Sequence, residues 1–169
     1  MPAMRVLGID PGTATTGYGI IEKDGAHLSM LAYGTINTPA GMAMPLRLVR
    51  INHELNKLLR EYQPDAVAVE EIFHHKNAKT VVTVAQARGV ILLTASLAQL
   101  PVAEYTPLQV KQAVVGYGQA EKRQVQIMVQ RLLALQEMPR PDDAADALAI
   151  AICHIHSYKI NSLSDSNGR

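Results

Sequence analysis

Acidic side chains recur at three remote points of this 169-residue chain, each at the end of one pattern and the start of another. Asp10 closes the apolar run MRVLGID, and Pro11 and Gly12 force a turn directly after it. Glu70 and Glu71 close a second short run within AVAVEEIF, and Asp142, Asp143 and Asp146 open the helical stretch RPDDAADALAIAICH. Taken singly, these are a turn former, a solvated strand end and acids complementing a helix N-terminus. Gathered on one edge of a fold they would repel one another, an arrangement tolerable only around a cation. Donor sets made of oxygen alone select hard ions, which points to Mg²⁺ or Mn²⁺.

Spacing leaves two choices open. Side chains alternate along a strand, so only one of Glu70 and Glu71 can share a face with Asp10. On a helix, both Asp143 (three before) and Asp142 (four before) lie on a face with Asp146.

Positioning these acids requires strands that end, and a helix that begins, on the same side. The first 38 residues read as three adjacent antiparallel strands: MRVLGID, then TGYGIIEK after a glycine-containing turn, then HLSMLAYGTINT after DGA. From Pro45 to Tyr62 the period changes to helical, with Leu48, Ile51, Leu55, Leu58, Leu59 and Tyr62 on one face. AVAVEEIF is a strand, residues 77–100 a helix apolar on most sides, and PVAEY a short strand. TPLQVKQAVVG is a helix capped by Thr106 with Pro107 in its first turn, a further helix falls within residues 117–135, and DDAADALAIAICH is the last. The pattern predicts one α/β domain over 1–158, with a mixed five-stranded sheet flanked by helices on both faces and a disordered tail over 159–169.

A composition of 48% hydrophobic and 18% charged residues excludes a disordered or fibrous chain. Cys153 is the single cysteine, which excludes a disulfide framework and a cysteine-built zinc site. The N-terminus lacks a signal-peptide core, and the apolar stretch GVILLTASLAQL reads as too short and interrupted to span a bilayer, so a cytoplasmic protein without a membrane partner is expected. The net charge is only +1, but it is unevenly spread. Residues 76–131 carry 7 basic and 2 acidic side chains, whereas residues 1–75 carry 6 and 8 and residues 132–169 carry 3 and 5. Such segregation suits a protein that grips a polyanion with one surface and gathers carboxylates on another.

LGIDPGTATTGYGII, VAVEEIFHHKNAKTVVTVAQARGV, EYTPLQVKQAVVGYGQAEKRQVQ and DDAADALAIAICH resemble, in order and spacing over residues 4–158, the RuvC Holliday-junction resolvases. The resemblance implies a ribonuclease-H-like fold and a homodimeric, divalent-metal endonuclease. Such an enzyme cuts four-way DNA junctions in recombination and repair by paired symmetric nicks, alongside a branch-migration helicase complex. By motif, the metal-binding catalytic acids fall on Asp10, Glu70, Asp143 and Asp146, and Lys111 and Lys122 meet phosphate near the cut. Glu71 stands where relatives commonly carry glutamine and Asp142 where a small residue is common, so each adds a carboxylate beside the set.

Two Mg²⁺ ions, replaceable by Mn²⁺, would activate water and stabilise the departing 3′ oxygen of a phosphodiester, leaving 5′-phosphate and 3′-hydroxyl ends. Asp10 would bridge the ions, Glu70 and Asp146 would hold one each, and Asp143 would position metal or water. Lys122 would also stabilise charge developing in the transition state. Phe73, the single phenylalanine, stands beside polar HHKN and could stack on or wedge between junction bases. His74, His75, Lys76, Asn77 and Lys79 would then meet the backbone, with Arg88 and Arg123 adding to the basic surface. His154 and His156, two apart on a helix, face different ways and are not expected to ligate metal. GIDPGTATTGY is also similar to the phosphate-gripping turn of actin-like ATPases, but those need a second lobe and a second glycine-rich turn for which this chain has no room.

Overall fold

The fold follows from two glycine-bearing strands that let one helix lie directly on them. A computed structural model describes residues 2–72 and 77–166. Strands β1 (Met4–Asp10), β2 (Thr15–Asp24) and β3 (His27–Asn37) form an antiparallel meander, followed by helix α1 (Met44–Tyr62). Strand β4 (Ala66–Glu70), helix α2 (Ala78–Leu97) and strand β5 (Val102–Tyr105) come next, then helices α3 (Pro107–Val115), α4 (Lys122–Leu132) and α5 (Asp142–Ser166). The sheet order is β3-β2-β1-β4-β5, with β4 parallel to β1 and β5 parallel to β4. This is the mixed, ribonuclease-H-like sheet that the sequence led us to expect.

The alternation of side chains divides the core into two layers. Leu7, Ile9, Ile20, Val67 and Val69 face α1 and α2, where Ile51, Leu55, Ala87, Ile91 and Ala95 cover them. Val6, Ile21 and Ala68 face the opposite way, toward α3, α4 and α5. Helix α5 is enclosed by the sheet on one side and α3 and α4 on the other, so residues Ala144, Ala145, Ala147 and Leu148 through Cys153 are all at most 2% exposed. Burying side chains such as Leu148, Ile150 and Ile152 contributes roughly 1.5–3 kcal/mol each.

Close approach of α5 depends on Gly8, Gly17 and Gly19. Gly8 pairs with Gly19 and Asp10 with Gly17 across the β1–β2 ladder. A Cβ on Gly8 would collide with the Ala147 carbonyl and lie 2.8 Å from the Ala151 nitrogen, and one on Gly17 would meet the Asp143 carbonyl. The backbone of the α5 first turn therefore rests on the Asp10–Gly17 pair, which brings the acids at the helix mouth over the end of β1.

Local chemistry explains several boundaries. Thr106 and Gln109 form a reciprocal capping box at the start of α3, and at α4 the Glu121 N–H donates to the Gln124 side chain at 2.8 Å, so that helix begins at Lys122, inside the stretch 117–135. Helix α5 continues to Ser166, past Tyr158 where the polar composition predicted a disordered tail. No proline or glycine interrupts it before Gly168. Helix α2, 20 residues with an 18-residue window at mean hydropathy 1.5, is long and apolar enough to cross a membrane by length and composition alone. Its Val84, Ala87, Ile91, Thr94 and Ala95 are nonetheless buried, and removing it would uncover part of the sheet's second layer.

Gly8→Ala should lower the unfolding free energy in urea by about 3 kcal/mol, because the obstacle is backbone and cannot swing aside. Gly41→Ala, with nothing within 4 Å of its Cβ among the described residues, should change it by less than about 0.5 kcal/mol.

Candidate active site

The expected acids meet at the carboxyl ends of β1 and β4. Glu70 shares the parity of Ala68, which faces α5, and β1 pairs with β4 through Gly8–Ala68. Its side chain is thus set on the Asp10 side, resolving the choice that the AVAVEE pattern left open. Glu71 lies one residue past the strand, where its N–H donates to the Tyr105 carbonyl at 2.8 Å, and it lines the same cleft. Carboxylate oxygens of Asp10, Asp143 and Asp146 all lie within 4.8 Å of one another. The helical ambiguity resolves as well: Asp143 and Asp146 join Asp10, while Asp142 turns to Lys122.

The turn after Asp10 is held firmly. The buried Thr16 hydroxyl donates to the Gly12 carbonyl at 2.7 Å, and the Thr38 N–H donates to the Ala14 carbonyl at 2.9 Å. A cleft of about 370 Å³ lies between Asp10, Gly12, Glu70, Glu71 and Asp143. A second, of about 220 Å³, is bounded by Glu70, Asp146, Lys111 and Lys122, so the two lysines expected to meet phosphate flank the acids.

Burial, reinforced by crowding, raises the proton affinity of Asp10 and Asp146. Burial, then repulsion from and hydrogen bonding to Glu70, then the charges of Asp146 and Asp143, push Asp10 up to about 9. Burial chiefly raises Asp146 to about 6; Lys122 opposes this, while Glu70, Asp143 and Asp142 add to it. Burial works to lower the Lys122 pKa, but Asp146, Asp142 and Asp143 outweigh it and hold the ammonium above its ordinary value. An oxygen-only donor set whose members repel one another fits a divalent cation, and Asp10, Glu70, Asp143 and Asp146 are the residues that would hold it.

Other expected residues have different surroundings. Asn77 caps α2, its side chain accepting from the Lys79 N–H at 3.0 Å, and Lys79 is exposed in the first turn. Arg88 is not free for a phosphate: its side chain is 18% exposed and its guanidinium pairs with Glu104 of β5. Arg123 lines a groove of about 750 Å³ with Gln126, Arg140, Asp142 and Asp143. Arg140 is a further cation that the sequence reading missed, although it stands only two residues before Asp142. Phe73, His74, His75 and Lys76 lie outside the described residues. His154 Nδ1 shares a 2.8 Å hydrogen bond with the Tyr105 hydroxyl and His156 Nδ1 bonds the Ala113 carbonyl at 2.9 Å, so both tie α5 to its neighbours.

The family model described as crossover junction endodeoxyribonuclease RuvC matches residues 6–154. The chain belongs to the RuvC family. The RuvC of Syntrophomonas wolfei is 68% identical over 164 residues, spanning 97% of this chain and 95% of that protein. The RuvC of Desulfitobacterium hafniense is 58% identical, spanning 93% and 95%. Among solved structures, T. thermophilus RuvC in complex with Holliday junction substrate superposes with a TM-score of 0.90 at 38% identity, covering 94% of this chain and 96% of that one. A yeast mitochondrial Holliday junction resolvase, at 15% identity and a TM-score of 0.69, shares the fold.

Asp10 and Asp146 bind protons more tightly folded than unfolded, so their contribution to stability is complete below 3.8 and is lost as pH rises through about 6 and about 9. The metal-free protein should therefore melt at progressively lower temperature from pH 5 to pH 9. Mg²⁺, competing with those protons, should raise the melting temperature more at pH 8 than at pH 5. Asp10→Asn should stabilise the metal-free protein at pH 8 and weaken the response to Mg²⁺. A melting temperature that is flat in pH and insensitive to Mg²⁺ would contradict this.

Proposed function

We propose that this protein is a structure-selective DNA endonuclease that resolves four-way junctions in recombination and repair. The observation that carries the reading is the meeting of Asp10, Asp143 and Asp146 within 4.8 Å, with Lys122 at the rim, in a chain of the RuvC family. A protein that only bound DNA would be hindered by such a cluster, whose charge repels phosphate.

Asp10, Glu70, Asp143 and Asp146 would hold two Mg²⁺ ions, with Mn²⁺ able to substitute. When bound, the ions supply activation of the attacking water and neutralisation of charge at the leaving 3′ oxygen. Asp10 lies centrally, between Glu70 and the α5 acids, which suits it to bridge both ions. Lys111 and Lys122 would neutralise and orient the scissile phosphate. The water oxygen joins phosphorus, the bond to the 3′ oxygen breaks, and that oxygen takes up a proton, leaving 5′-phosphate and 3′-hydroxyl ends.

Lys79 and Arg123, with Phe73, His74, His75, Lys76 and Asn77, would grip the strands around the junction, and Arg88, held by Glu104, is left out of that set. We read the protein as cytoplasmic and as working beside a branch-migration helicase.

A two-fold junction calls for two sites related by symmetry, hence a homodimer. Support comes from α2, where Val82, Leu93 and Leu97 are 57%, 58% and 73% exposed on one stripe with the exposed Gly89. A Cβ on Gly89 meets nothing within 4 Å among the described residues, so this mid-helix glycine leaves room for a second helix.

On a labelled four-way junction with Mg²⁺, wild type should make paired nicks, and Asp10→Asn and Asp146→Asn should lose at least about 10²-fold in rate while still binding the junction. Retained cutting in either variant would overturn the assignment. Sedimentation of Gly89→Gln and Leu93→Glu should show folded monomers where wild type is a dimer; dimers in both would remove α2 from the interface.

A further inference from the structure

One acid at the start of α5 stands outside the cluster of three. Both oxygens of Asp142 are engaged by α4: Oδ2 lies 3.2 Å from the Lys122 ammonium, and Oδ1 accepts a 3.1 Å hydrogen bond from the Gln126 amide. Lys122 and Gln126 are four apart, so a single face of α4 presents both donors. The same ammonium lies 3.8 Å from Asp146 Oδ2. Lys122 therefore straddles one acid of the cluster and one beside it.

We propose that Asp142 is a positioning residue that keeps Lys122 at the rim of the active site when Asp146 is engaged with metal, an inference that rests on the nuclease reading above. A cation on Asp146 neutralises the charge facing Lys122 and repels the ammonium. Asp142 lies outside the set of converging oxygens and keeps its charge, and Gln126 fixes its carboxylate so that the second oxygen faces Nζ. The lysine is then retained over the place where phosphate must sit, instead of swinging into solvent on its four-carbon stem. The pair is 57% and 66% exposed, so it contributes little to folding; what it restricts is the lysine's freedom.

Steady-state cleavage of a four-way junction at saturating Mg²⁺ tests this. Asp142→Asn should lower kcat about tenfold, in the range for losing an orienting partner, with KM, half-saturating Mg²⁺ and melting temperature unchanged. Asp142→Glu should return kcat to within about threefold of wild type, and Asp142→Asn should cost nothing further in a Lys122→Ala background. An unchanged kcat, additive losses, or recovery at higher Mg²⁺, the behaviour of a metal ligand, would each overturn the proposal. A readout without cleavage separates it from the nuclease reading: in Mg²⁺ and no DNA, acetic anhydride should modify Lys122 about threefold faster in Asp142→Asn, the change expected for an exposed ion pair. An equal rate overturns the role of Asp142 even if the junction is cut. Failure of wild type to cut, with the faster modification present, overturns the nuclease reading and leaves the lysine's restraint standing.

Discussion

The contact between the α5 backbone and the glycines of β1 and β2 governs the rest of the molecule. Side chains ordinarily stand between a packed helix and the backbone of the sheet beneath it. Here Gly8, Gly17 and Gly19 remove that spacer, and the first turn of α5 rests on the residue pair that ends β1. Because Asp143 sits in that turn, Asp146 follows three residues on along the same face, and Asp10 lies on that pair, the same contact builds the core and the candidate active site. Without the glycines the helix would stand off and its acids would face solvent, as acids at a helix mouth usually do.

The site opposes the stability that surrounds it. Three carboxylates converge at the end of the hydrophobic layer formed by α5, α3 and α4, and two of them hold their protons well above the ordinary carboxylate range. Lys122 compensates part of that charge, but from the exposed side, where solvent screens it. The protein thus carries an electrostatic deficit that a divalent ion is suited to remove, and affinity for the ion and discomfort without it have one cause.

Much of this arrangement is legible in the sequence. Asp10 is marked by a strand running into Pro11 and Gly12, and the element order emerges from the shift between strand and helix periods. The choice between Glu70 and Glu71 is not legible from strand periodicity, because AVAV is apolar on both faces; beyond the family motif, the pairing of Ala68 with Gly8 is what sets Glu70 on the Asp10 side. Nor does helical spacing alone separate Asp142 from Asp143, since both share a face with Asp146 and the partner on α4 makes the distinction. The basic middle third is visible as a count but not as a direction: Arg88 turns to Glu104, whereas Lys111 and Lys122 turn to the acids. The overlooked signal was glycine at Gly8, Gly17 and Gly19, always on the face that carries Asp10, which marks a helix seated against the sheet. Helix α5 extends past its apolar part because nothing in its polar end breaks it.

Strand parity has an evolutionary corollary. An insertion of a single residue between Met4 and Asp10 would rotate the acid into the layer of Ile51 and Leu55, burying a carboxylate among aliphatic groups and stranding Leu7 and Ile9 beneath α5. An insertion of two would preserve the face but carry the acid roughly 7 Å beyond the helix mouth. A change of length is consequently better absorbed at places such as the β2–β3 connection, far from the edge that carries the acids, while the first strand acts as a ruler of fixed length.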